Sequence, residues 1–299
     1  MNWENAIKDF KAYLKIEKSL SDNSIEAYIH DVMHLSRFCQ SQLKPISPDE
    51  VAMNDIEAFL AYLHDFDINP RSQARIISGI KAFYFFLELN EFIIENPTLL
   101  ISTPRLDKKL PTVLSVEEID ALIQAIDVSK PDGHRNRAML ETLYSCGLRV
   151  SELVDLKLNQ LYFDEGFIKV IGKGDKERLV PISDRAIREI RFYFEKIRNT
   201  QKVQPPYENY VFLNKNGKKL TRVMVFIIIK RLADQIGLQK EISPHTFRHS
   251  FATHLVEGGA DLRAVQQMLG HESIITTEIY THIDKSYLKK VIRDYHPRS

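Results

Sequence analysis

Through the first 95 residues the apolar side chains return every three or four positions, and this period constrains the fold more than any other feature. Trp3, Ile7, Phe10 and Leu14 make one helical stripe. Ser21 is positioned as the N-cap of a second helix carrying Ile25, Tyr28, Ile29, Val32 and Leu35. In "SPDEVAMNDIEAFLAYL" Ser47 is the expected cap of a third helix, with Pro48 at its first position. A fourth is expected from about Arg71 to Leu89, with Ile76, Ile80, Phe83 and Leu87 on one face. Four amphipathic helices with short connections predict a small helical domain over 1–96.

The stretch "NPTLLISTPRLDKKLP" interrupts that period with Pro97, Pro104 and Pro111 among polar and basic residues. It predicts a linker over 97–111 and a second domain over 112–299. Past it, Ser115 and Glu118 form a capping-box pattern, and two helices around "RNRAMLETLYSCGLRVSELVDL" meet at Gly147. "GFIKVIGKGDKERLVPIS" gives the only convincing strand signal, two β-rich runs around Gly172, Gly174 and Asp175 as in a hairpin. From Ser183 onward the pattern reads as helical again. The expected architecture is mainly α in two domains, the second mixed α+β with a small antiparallel sheet.

Charge separates the same two regions. Lys plus Arg against Asp plus Glu is 10 against 15 over residues 1–105 and 31 against 25 over 106–299. The basic excess of the second region is compatible with a polyanionic ligand. No apolar run approaches the roughly 18–20 residues of a membrane helix, and the N-terminus lacks the apolar core of a secretory signal. Cys39 and Cys146 lie too far apart for paired metal-ligand spacing. A cytoplasmic protein without membrane attachment is expected.

The segment "SPHTFRHSFATHL" poses the functional question. Pro244 suits a first helical position, which sets His245, Arg248, His249 and Ala252 on one arc and Phe247, Phe251 and Leu255 on the opposite, core-facing arc. His245 and His249 have the spacing of a zinc helix, but Thr246 stands where a metalloprotease carries its glutamate, and Arg248 would repel a divalent cation. A guanidinium beside imidazoles suits a phosphate better, because it presents two parallel donors and keeps its charge. Core packing is the bland alternative.

Other segments combine with that face. "CGLRVSELVDL" puts Arg149 after a glycine break, with Glu152 three residues on and able to orient a neighbour. "IGKGDKERLVP" places Lys173 at the hairpin tip. "MLGHESIITTEIYTH" ends a helix at Gly270, presents His271 next, and reaches Tyr280. Each has an ordinary reading too: a surface ion pair of Arg149 with Glu152, a turn lysine, a helix-cap histidine, a packing tyrosine.

Taken in order, "GLRVSEL", "GKGDKER", "HTFRHSFATHL", "LGH" and "IYTH" resemble the boxes of the tyrosine recombinase (phage integrase) family, and the length, linker and ending "YHPRS" are similar to its bacterial Xer branch. The resemblance implies a SAM-like N-terminal domain that clamps DNA with the catalytic domain, and site-specific strand exchange through a 3′-phosphotyrosyl intermediate. Tyr280 is then the nucleophile, and Arg149 and Arg248 stabilise the pentacoordinate phosphate. Lys173 protonates the leaving 5′ oxygen, and His245 accepts the phenolic proton or holds the attacking oxygen. His271 hydrogen-bonds a non-bridging oxygen and Glu152 braces the cluster. No metal or other cofactor is expected, and "GKGDK" has the wrong spacing for a nucleotide-binding phosphate loop.

For base readout the candidate is "KKLTRVMVFIIIKRLADQIG", with Lys219, Arg222, Lys230 and Arg231. The tail, about 284–299, is amphipathic through Tyr287, Leu288, Val291 and Ile292 and is expected to dock on a neighbouring subunit. The implied partners are double-stranded DNA with an inverted-repeat site, further subunits in a homo- or hetero-tetramer (a second Xer recombinase among them), and a septal DNA translocase. Resolution of chromosome dimers is the expected role. The rivals are the integrase of a mobile element, a silent DNA-binding protein and a metal-dependent nuclease.

Overall fold

The computed structural model describes residues 1–66, 68–104, 112–270 and 282–298, with 173 and 282–285 described by backbone alone. The chain divides into two units, Met1–Lys109 and Leu110–Ser299.

The first unit holds the expected helices, α1 (Trp3–Ile16), α2 (Asp22–Gln40), α3 (Met53–Asp65) and α4 (Pro70–Leu89). Ser21 caps α2 by accepting from the Ser24 N–H, and Asn69 caps α4 with Pro70 at its first turn. The start of α3 differs from expectation. Ser47 closes a local turn, its hydroxyl donating to Asp49 and Glu50, while the helix begins after Ala52, whose N–H donates to Asp55 Oδ2 at 2.8 Å. Two acidic groups after Pro48 thus satisfy the serine before a helix can form. Phe10, Leu35, Phe59, Phe83 and Leu87 fill the core, with Phe83 edge-on to Phe10 at 5.3 Å. Each buried phenyl contributes on the order of 2–3 kcal/mol. Gly79 lets α4 approach α2 closely, since a Cβ there would lie 2.7 Å from the Cβ of Asp31. Ile101 belongs to this core and Asn96 and Thr98 are buried, so packing onto the first unit continues into the proline-interrupted stretch.

The second unit is built around α6 (Gly133–Ser145), which is buried on all sides from Ala138 to Ser145. It follows α5 (Val116–Gln124), which carries the expected Ser115–Glu118 capping box. After α6 come the short α7 (Val150–Val154) and a sheet of β1 (Leu161–Tyr162), β2 (Phe167–Ile171) and β3 (Glu177–Pro181). The sheet is antiparallel in the order β1-β2-β3, with Ile168 opposite Val180 and Ile171 opposite Glu177. The hairpin is the expected one; β1, two residues long, adds a third strand. Next come α8 (Asp184–Tyr193), α9 (Arg222–Gln235), α10 (Pro244–Glu257), α11 (Leu262–Leu269) and α12 (His282–Tyr295).

Two expectations need correction. The chain is not helical throughout after Ser183: residues 199–221 run as irregular backbone held by Arg198, which donates to the carbonyls of Glu208 and Tyr210, and by bridges of Lys157 with Tyr210 and Leu213 with Lys219. The tail stripe is largely used within the chain, with Tyr287 left exposed. Leu288, Val291 and Ile292 lie in the core of their own second unit, and beyond α12 His296 and Arg298 are buried as well. No described helix is long and apolar enough to cross a membrane.

Candidate active site

Gly147, at φ +56°, turns the chain between α6 and α7. A Cβ there would meet the Phe251 ring at 2.3 Å, so both the backbone conformation and the contact with α10 require glycine. The turn delivers Arg149 as the N-cap of α7. Glu152, one turn in, reaches back, accepting from the Arg149 backbone N–H at 2.7 Å through Oε2 and from its Nη1 at 2.9 Å through Oε1. The Arg149 side chain stays 40% exposed while that of Glu152 keeps 2%.

Arg248 comes from α10, whose Phe247, Phe251 and Leu255 are fully buried as the helical arc predicts. Its guanidinium is also buried, contrary to a simple exposed polar face. It donates to the Gly147 carbonyl at 2.8 Å and to the Leu269 carbonyl, and it lies 3.8 Å from Glu152. Burial, with Arg149 nearby, draws its pKa down to about 10, still charged at neutral pH. His245 is exposed and His249 half-buried on the same helix.

A third arginine completes the cluster. Arg178 on β3 is 6% exposed, donates through Nη1 and Nη2 to the two oxygens of Glu152 at 2.8 and 2.9 Å, and through Nε to the Met268 carbonyl at 2.8 Å. Burial alone would raise the Glu152 carboxyl, but hydrogen bonds and charge from Arg178, joined by Arg149, hold it below the ordinary value. Sequence reasoning missed Arg178. Its signal was present in the strand period: on β3 positions 178 and 180 face inward, and a charged residue at a core-facing position requires a partner.

Lys173 lies in the β2–β3 connection, at the tip of the hairpin, where Gly174 and Asp175 both have positive φ and the Gly172 N–H donates to the Lys176 carbonyl at 2.8 Å. The end of α11 meets the cluster through the carbonyls of Met268, Leu269 and, at 3.4 Å from Arg149, Gly270. Gly270, at φ +65°, ends that helix in the left-handed conformation. His271 and Tyr280 lie outside the described residues. The structure therefore brings together Arg149, Glu152 and Arg248, adds Arg178, and sets Lys173 on an adjoining loop.

The four candidate base-readout residues divide. Lys219 pairs with Asp155 and sits 5.4 Å over the Tyr210 ring, which raises its pKa chiefly through the hydrogen bond to Asp155. Arg222, Lys230 and Arg231 are exposed on α9, beside exposed Val223, Met224 and Phe226. Among the described residues no group of three or more His, Cys, Asp or Glu side chains is placed to hold a metal ion. The cluster itself carries three guanidiniums against one carboxylate, a field that attracts an anion and repels a cation.

The phage integrase family model matches residues 112–286, and the model of the phage integrase N-terminal SAM-like domain matches residues 7–91. A tyrosine recombinase XerD of Staphylococcus saprophyticus is 43% identical over 296 residues, covering 99% of this chain and 100% of the relative. One from Listeria innocua is 43% identical over 294 residues, covering 98% and 99%. Among solved structures, XerH site-specific recombinase bound to a palindromic difH substrate, in a post-cleavage complex, aligns with a TM-score of 0.71 at 24% identity, over 95% of this chain and 83% of that one.

Proposed function

The chain belongs to the phage integrase family and is a site-specific tyrosine recombinase, and from that premise we propose how its residues divide the work. The carrying observation is the gathering of Arg149, Arg178 and Arg248 on the single carboxylate of Glu152. With the carboxylate saturated by donors, the cluster keeps an excess of positive charge, and Arg149 retains an exposed face to receive a phosphodiester.

In this reading the phenolic oxygen of Tyr280 attacks the scissile phosphorus. The 3′-phosphotyrosyl bond forms as the bond to the 5′ oxygen breaks, and Lys173 gives that oxygen its proton. His245 receives the proton of the phenol, and His271 donates to a non-bridging oxygen. Arg149 and Arg248 hold the charge that gathers on the phosphorane, the work a metal ion does in other phosphoryl-transfer sites. Attack by a 5′-hydroxyl of a second duplex reverses the steps and exchanges strands, so the phosphodiester energy is conserved and no nucleotide is hydrolysed.

The substrate we propose is double-stranded DNA with an inverted-repeat core, held by residues 1–96 and 112–299 in an assembly of several subunits. The exposed cations of α9 would make phosphate or base contacts. The names of the near full-length relatives support a Xer-type recombinase. The role we propose with it is the resolution of chromosome dimers in the cytoplasm, with a second recombinase and a septal translocase as candidate partners. The test is incubation of the full chain with a nicked duplex bearing the host's dimer-resolution site, in EDTA. A covalent protein–DNA adduct is expected, and Tyr280→Phe should abolish it. An adduct that survives Tyr280→Phe, or activity that disappears with chelator, contradicts the assignment.

A further inference from the structure

We infer that Arg178 is a positioning residue for strand cleavage: it serves as the counter-ion of Glu152, so that the charges of Arg149 and Arg248 stay available to the phosphate. The inference rests on the recombinase reading above and concerns a residue to which that reading gives no part.

A single carboxylate has a limited acceptor capacity, two good directions on each oxygen. Oε1 of Glu152 receives Arg149 Nη1 and Arg178 Nη1, and Oε2 receives the Arg149 backbone N–H and Arg178 Nη2. Every direction is used. Arg178 supplies two of the four donors, in the parallel, bidentate arrangement that is the strongest available to a guanidinium. Arg149 spends one guanidinium nitrogen on Glu152 and Arg248 stands off at 3.8 Å. If Arg178 were absent, the same anion would have to be balanced by Arg149 and Arg248, in a buried setting where an unmatched carboxylate is strongly disfavoured.

The position of Arg178 points the same way. From β3 its side chain ties three elements at one point: the hairpin that carries Lys173, α7 through Glu152, and the end of α11 through the Met268 carbonyl. A glycine leaves room for it. A Cβ on Gly270 would stand 3.1 Å from Arg178 Cδ. All three nitrogens of its guanidinium are engaged, Nε by the Met268 carbonyl and both Nη atoms by the Glu152 carboxylate. It therefore acts through Glu152 rather than on the phosphate.

A charge-balance role makes a prediction that a merely structural role does not. The cost of removing Arg178 should depend on whether residue 152 is charged. The experiment is single-turnover cleavage of the nicked duplex by the full chain, with DNA affinity measured in parallel, for the parent, Arg178→Met, Glu152→Gln and the double variant. Arg178→Met should slow cleavage about 100-fold, the scale of a lost preorganised donor, with affinity changed by no more than about threefold. Once Glu152→Gln has removed the anion there is nothing left to neutralise. Adding Arg178→Met to that background should then cost less than about tenfold, and the double variant should cleave faster than Arg178→Met. Should Arg178→Met fail to fold, Glu152→Gln and the double variant decide, because neither buries an unmatched carboxylate. A loss between those two beyond about tenfold overturns the inference, as does Arg178→Met cleaving at the parent rate or a double variant no faster than Arg178→Met. If the parent itself forms no adduct, the recombinase reading fails and this role falls with it; if only the Arg178 variants behave unexpectedly, this role alone falls.

Discussion

Glu152 and Glu141 both lie in the second unit, both are almost wholly removed from water, and both are met by arginines from distant parts of the sequence. The company they keep differs. Arg149, Arg178 and Arg248 converge on Glu152, three cations on one anion, and the Arg149 side chain remains 40% exposed. Around Glu141 stand Arg185 at 2.7 Å and Arg298 at 3.1 Å, and Arg298 also reaches Asp120 at 2.6 Å, so two cations meet two anions. Arg298 there is 2% exposed, with its guanidinium 5.4 Å over the Tyr144 ring. The carboxyl pKa values follow the stoichiometry. Hydrogen bonds and charge overcome burial at Glu152 and hold it low, whereas at Glu141 burial prevails over Arg298 and Arg185 and pushes it up. A cluster with surplus charge and an open face is incomplete until an anion arrives; a balanced, closed one is a fastening. In this protein the second fastens the C-terminal tail to α6.

Substitutions can break that contrast in either direction. The largest effect is expected at the open cluster. Arg149→Ala should lower single-turnover cleavage about 1,000-fold, as for loss of a principal transition-state donor, while folding stability moves by no more than about 1 kcal/mol because the side chain is partly exposed. Chemical denaturation alongside the rate measurement separates the two. The balanced cluster should behave in the opposite sense. Arg298→Ala leaves Glu141 with one partner and should cost about 3 kcal/mol of stability, read as a lower urea midpoint, with the cleavage rate per folded molecule little changed. A rate loss that exceeds the stability loss would remove the distinction between the two clusters.

The smallest effect comes from acid. His296 is buried against Tyr144 and Phe251, and its Nδ1 accepts from the Arg298 backbone N–H. Burial, with Arg298 and His254 adding repulsion, draws its pKa down to about 3. A histidine depressed when folded takes up its proton more readily when unfolded, so its contribution is fully present above the unfolded pKa near 6.5 and is lost as pH falls toward 3. By pH 5 the loss should be about 2 kcal/mol in the wild type. His296→Phe, which keeps a ring in the site, should flatten the pH dependence of the urea midpoint between 5 and 7; an unchanged slope would show that other groups govern it.

Much of this was legible in the sequence. Helical period and capping residues gave α1, α2, α4 and α5, and the glycine-marked run gave the hairpin. The Arg149–Glu152 spacing and the core-facing arc of α10 stand as read. What escaped notice depended on contacts between distant segments. Ser47 looked like a helix cap until Asp49 and Glu50 competed for it, and Asp55 capped the helix instead. The tail's apolar stripe has the same pattern whether it is buried on its own unit or on another chain; Leu288, Val291 and Ile292 pack on their own unit and Tyr287 is left exposed. Arg178 sat inside a recognised segment, but its partner lies 26 residues earlier and its third hydrogen bond 90 residues later. No local pattern encodes that convergence.

The most direct measurement is the chemical identity of the residue bonded to DNA. The full chain, trapped on a nicked duplex in EDTA and digested, should yield one nucleotide-bearing peptide whose fragmentation places the phosphodiester on Tyr280. A nucleotide on any other side chain, or none recovered from a chain that still cuts the duplex, would contradict the account.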